Sequence, residues 1–126
     1  MKTVELPDTL ETIGADAFAG CKNLKTVTIG KSVKTIKDKA FYKCTSLTKI
    51  TIPSKVTKIG KQAFYGCKKL KKITIKTTKL KKSEVGSKAF KGTPKNVQVK
   101  VPETKNNLYK EMLIKKGMSK NAKISK

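Results

Sequence analysis

Three cysteines, Cys21, Cys44 and Cys67, fall 23 residues apart, and that interval limits what their sulfur can do. A chain that returns to one place every 23 residues stacks their Cα atoms about 5 Å apart, within reach of a disulfide. A straight column of thiols is not a tetrahedral metal site, and the chain has no histidine to complete one. Each cysteine follows a phenylalanine (Phe18, Phe41, Phe64) by three residues and precedes a leucine (Leu24, Leu47, Leu70) by three. That register is inward, so the three are read as buried, reduced, small apolar side chains rather than as redox or metal groups.

The acids supply no catalytic set. Asp8, Glu11, Asp16, Asp38, Glu84, Glu103 and Glu111 occupy solvent offsets, and none makes a motif with a nucleophile and a base. No glycine-rich phosphate loop is present, so the chain reads as non-enzymatic and needs no cofactor.

The lysines carry more information. There are 31 basic and 8 acidic residues, a net charge of +23, and every basic residue is lysine. Such a charge attracts polyanions through counterion release, which makes nucleic acid the rival partner. Arginine, suited to bidentate phosphate and guanine contacts, is absent. The phenylalanines are committed to the core, leaving Tyr42, Tyr65 and Tyr109 and no stacking platform for bases. Lys31, Lys34, Lys37, Lys55, Lys58, Lys61, Lys79, Lys81 and Lys82 spread around an outer arc. Diffuse charge of this kind suits solubility, or loose attraction to an anionic wall polymer or glycan; a drift toward lysine codons would produce it with no function.

The elements behind this spacing are repeats. IGADAFAGCKNLKTVTI (13–29), IKDKAFYKCTSLTKITI (36–52) and IGKQAFYGCKKLKKITI (59–75) keep step at every apolar position. Alternating pairs close the units: Val27 and Ile29, Ile50 and Ile52, Ile73 and Ile75, then Val99 and Val101. They predict strands with one buried face. Val4 and Leu6 are the same pair one period earlier, so the chain is expected to begin inside a repeat. Pro7, Gly30, Pro53 and Pro102 turn the chain after a strand, and Val33 with Ile36 or Val56 with Ile59 predicts a second, short extended piece. The Ala-Phe-x-x-Cys step has the rhythm of one helical or 3₁₀ turn. A unit this small cannot cover the entropy of its own ordering and must stack on copies of itself.

The fourth unit departs from the pattern. Phe90 follows Phe64 by 26 residues, Leu80 and Val85 stand in for Val56 and Ile59, and Thr93 replaces the cysteine. Pro94 and Val97 alter the approach to the next strand, where a bulge is expected. After Pro102 the period changes to that of a helix, expected over residues 104–116 with Thr104 as N-cap, Gly117 at C′ and Met118 folding back on Leu113. The tail to Ile124 is expected to add a short last strand.

The string I-G-x-x-A-F-x-x-C-x-x-L-x-x-I-x-I-P at period 23, over residues 4–102, resembles the BspA-type leucine-rich repeats of bacterial surface proteins. The resemblance implies an α/β, β-rich fold: a right-handed solenoid with a parallel concave sheet, short convex strands, helical turns and a C-terminal capping helix. It divides the chain into a solenoid at 1–102, about four and a half repeats, and a cap and tail at 103–126, the C-terminal fragment of a larger protein. It further implies a secreted or cell-surface binding or adhesion module whose partner is a protein or an anionic polymer; the alternative is a nucleic-acid-binding module. No apolar run approaches the ~20 residues of a membrane span, so no membrane insertion is expected, and no apolar segment follows Met1 as a signal peptide would.

If Val27 and Ile29 point inward, Thr26 and Thr28 point outward. Their counterparts are Lys49 and Thr51, Lys72 and Thr74, then Gln98 and Lys100. Stacking would align these eight as two columns on the concave face, which is the expected ligand-binding site.

Overall fold

Each Ile-x-Ile or Val-x-Val stretch hides alternate side chains, and parallel pairing with the next copy leaves one face of the ladder outside. In the computed structural model, which describes residues 3–125, these stretches and the short pieces between them form β1 (Thr3–Glu5), β2 (Thr12–Ile13), β3 (Thr26–Thr28), β4 (Thr35–Ile36), β5 (Lys49–Ile52), β6 (Lys58–Ile59), β7 (Lys72–Ile75) and β8 (Gln98–Lys100). Helix α1 (Asn106–Lys115) and β9 (Lys123–Ser125) follow. One sheet has the order β1-β3-β5-β7-β8-β9 and a second the order β2-β4-β6, every pairing being parallel. A bridge from Ile59 to Val85 carries the second sheet into the fourth coil. Parallel strands joined this way wind right-handed.

A third ladder closes the coil. The N–H groups of Phe18, Phe41 and Phe64 donate to Ala40, Ala63 and Ala89 of the next coil, each at 2.8 Å. The three-residue rhythm is realised as consecutive i→i+3 turns, such as Cys21 N–H to the Phe18 carbonyl at 3.1 Å and Leu24 N–H to that of Cys21 at 3.2 Å. Residues at positive φ separate those turns. Asp16, Lys39, Gln62 and Lys88 take φ of 54–58°, and Gly20, Lys43, Gly66 and Gly92 occupy a second such place in each coil. The left-handed twist turns N–H groups along the stack: Gly20 donates to Tyr42, Lys43 to Tyr65 and Gly66 to Lys91.

Inside, Phe18, Phe41, Phe64 and Phe90 form a continuous stack with centroids 5.2–5.4 Å apart and rings within 9° of parallel. Each such contact adds about 0.5–1.5 kcal/mol beyond the area buried. The last three rings are fully buried, whereas Phe18, Val4, Leu6 and Leu10 at the N-terminal end are half-buried.

The fourth coil keeps Leu80 and Val85 buried, as expected of stand-ins, while a 3₁₀ turn at Lys82–Glu84 absorbs the extra residues. Val97 is buried, and Thr93 donates to the Phe90 carbonyl of its own coil at 2.9 Å. Buried Thr77 donates to the Val56 carbonyl at 2.7 Å. The Tyr109 hydroxyl donates to the Thr77 carbonyl at 2.8 Å and accepts the Leu80 N–H at 3.1 Å, pinning the inserted loop to α1.

Tyr109, Met112, Leu113 and Met118 lie over the last coil's core. The helix ends in a Schellman arrangement: Gly117 at φ 105° donates to Ile114 and Met118 donates to Leu113. Its start differs from expectation. Glu103–Lys105 is a 3₁₀ turn running into α1, which places Thr104 inside the turn and Lys105 at the N-cap, with no side-chain cap bond. The sheet edge is met by β9, paired with β8 from Gln98–Lys123 to Lys100–Ser125, rather than by the helix.

Candidate ligand-binding face

Because side chains alternate along each strand, the residues between the buried pairs face outward from the larger sheet, and parallel register lines them up. One column runs Thr3, Thr26, Lys49, Lys72, Gln98, Lys123. The second contains Glu5 and Thr28, then Thr51, Thr74, Lys100 and Ser125. All eight residues expected on this face are on it. Thr28, Lys49, Thr51, Lys72, Gln98 and Lys100 are exposed, while Thr26 and Thr74 are half-buried between their neighbours.

A shallow trough of about 600 Å³ runs over the middle strands, lined by Thr26, Thr28, Lys49, Thr51, Lys72, Thr74 and Lys76. Gln98 and Lys100 continue the columns beyond it. The Thr26 hydroxyl donates to that of Thr3 at 3.1 Å. Lys49 and Lys72 are direct neighbours across β5 and β7, about 4.8 Å apart in the backbone, so like charge accumulates on a face whose hydroxyls accept or donate.

Sequence reasoning missed five members of the face. Thr3 and Glu5 are readable as Thr26 and Thr28 one period earlier. Lys76 lies just past a strand that lacks the usual Pro or Gly. Lys123 and Ser125 belong to a strand outside the 23-residue period, so spacing gave no signal for them.

Glu11 meets Lys34 at 3.2 Å and Glu84 meets Lys58 at 3.5 Å in exposed ion pairs, and Asp38 accepts the Lys61 N–H at 2.9 Å. Cys44 and Cys67 are buried free thiols donating to the carbonyls of Phe18 and Phe41 at 3.1 and 3.2 Å. Burial, with the preceding cysteine adding to it, pushes them up to about 11 and about 12. Cys21 is half-buried rather than buried, since no coil among the described residues precedes it. Tyr42 and Tyr65, expected to make no platform, stack on each other at 5.2 Å, with the ammonium groups of Lys39 and Lys43 5.3 and 5.4 Å from the Tyr42 ring.

The comparisons with known proteins agree with this architecture. A leucine-rich repeat protein from Bacteroides ovatus is 30% identical with a TM-score of 0.78, over 98% of this chain and 30% of its own. A leucine rich cell surface protein from Faecalibacterium prausnitzii is 38% identical with a TM-score of 0.60, over 62% of this chain and 20% of its own. The pneumococcal vaccine antigen PcpA is 25% identical with a TM-score of 0.68, over 99% of this chain and 35% of its own. The chain therefore spans a fifth to about a third of the length of these structures. No curated protein matches it. The model of the BspA type leucine rich repeat region, in six copies, matches residues 1–118. With its period, its parallel sheets and its core ladder all in agreement, the chain belongs to the BspA-type leucine-rich repeat family.

Proposed function

We propose that this chain is a non-enzymatic binding module of a secreted or cell-surface protein, and that the outer face of its six-stranded sheet takes an anionic polymer or an acidic protein surface. The observation that carries the reading is the register that sets Lys49, Lys72 and Lys100 into rows of threonine hydroxyls. A leucine rich cell surface protein and a vaccine antigen among the similar structures support the location. Adhesion follows from a partner fixed to another surface. Three lysines are a small part of the 31, so the general charge has to be separated from the face.

Heparin is a suitable probe. At ~150 mM salt, where long-range attraction is largely screened, the K49Q/K72Q/K100Q variant is expected to bind it several-fold more weakly than K34Q/K58Q/K81Q, which changes net charge equally on the opposite arc. Equal losses from both triplets, vanishing together as salt rises, would mean that attraction is diffuse and that the sheet face is no site.

A further inference from the structure

Where the fourth coil leaves the period, its inserted loop stands beside α1 and a groove of about 430 Å³ opens between them. Leu80 and Met112, both buried, form its apolar base, and Leu108 forms one lip. Leu108 is 56% exposed, the one large apolar side chain so exposed among the described residues. Leu108, Met112 and Lys115, spaced four and three apart, share one face of the helix, and that face is turned to the loop. Around this base stand Lys79, Lys81 and Lys82 from the loop and Lys105 and Lys115 from the helix side, with Glu111 the single acid in the lining.

The lysines crowd one another. The Lys115 ammonium beside it holds the Lys82 ammonium below its ordinary value, with some desolvation and Lys116 adding to the effect and Glu111 opposing it. Tyr109 fixes the loop by both its hydrogen bonds, so the groove exists before anything enters it. Its volume is in the ~300–1,000 Å³ range of small-molecule sites, too small for a folded partner.

We propose that this groove binds a small amphipathic anion: an apolar chain against Leu80, Leu108 and Met112, and one carboxylate, sulfate or phosphate head between Lys82 and Lys115. The apolar base provides affinity that the lysines elsewhere lack, and the head neutralises two ammonium groups that repel each other. The site is separate from the outer sheet face and stands or falls independently of the function proposed for it.

Monomeric decanoate tests it, followed by amide chemical shifts and calorimetry on the full chain at ~150 mM salt. Saturable binding is expected, with the largest shifts at Leu80, Leu108, Met112 and Lys115. Leu108→Asn, at an exposed position that leaves the fold intact, should weaken it about tenfold through lost apolar contact. K82Q/K115Q should weaken it about fivefold. Decylammonium, with the same chain and the opposite charge, should not bind there. The proposal is overturned if the shifts map instead to Val4, Phe18 and Leu24 at the open end of the core, if decylammonium binds as well as decanoate, or if K34Q/K58Q costs as much as K82Q/K115Q.

Discussion

Cys67 shows how far a repeated position constrains one side chain. Its thiol is fully buried, donates to the Phe41 carbonyl of the preceding coil, and is held at about 12 against an ordinary 9.0 by burial, with Cys44 adding to it. The unfolded chain loses this proton first, so the thiol's contribution to stability is complete below pH 9 and is lost as pH rises toward 12. The stability advantage of the native chain over Cys67→Ala, from urea midpoints, is therefore expected to shrink as pH rises from about 9 toward about 12. A constant advantage over that interval would mean that the thiol ionises as readily folded as unfolded. The same column was legible in the sequence because its members keep an offset of 23 from one another and of three from phenylalanine. The positive φ of Lys43 was not: its counterparts are Gly20, Gly66 and Gly92, but lysine there gives no sign that the backbone is left-handed.

At the scale of elements, what was readable and what was not divide along the period. β3, β5 and β7 repeat one alternation, so each copy corroborates the others and the period alone predicts the parallel register. The inserted loop and α1 occur once. The helix was placed by its apolar spacing and by Gly117, yet its entry through a 3₁₀ turn was missed, because Pro102 and Glu103 allow either start. The role of Tyr109 was also invisible, since its two partners, Thr77 and Leu80, are set by tertiary packing across 32 and 29 residues. Tyr109→Phe keeps the ring and removes the clamp, leaving a buried carbonyl and a buried N–H short of a partner at a cost of about 1–3 kcal/mol. Hydrogen exchange should then accelerate at the Leu80 amide while the amides of Ile50 and Ile73 keep their protection. Unchanged exchange at Leu80 would show that the loop is held by its apolar contacts alone.

At the scale of the whole molecule, burial among the described residues deepens from the first coil to the middle ones. Val4, Leu6, Leu10 and Phe18 are half-buried, while their counterparts two coils on, Ile50, Ile52, Val56 and Phe64, are covered on both sides. Native-state hydrogen exchange is expected to be faster in β1 and the first coil than in β5 and β7 by an order of magnitude or more. Equal protection at both ends would contradict a core that thins toward the N-terminus. The direction of the hydrogen bonds carries a mechanical meaning as well. In all three ladders the N–H···O contacts join one coil to the next and so point along the stack. A pull between the chain's ends lies nearly parallel to those bonds, loading them one coil at a time instead of shearing many together. The molecule should therefore yield at low force by peeling from its ends, each regular 23-residue coil releasing at most about 80 Å of chain. Held between two surfaces, such an array would act as an extensible tether that lengthens in steps before either attachment breaks.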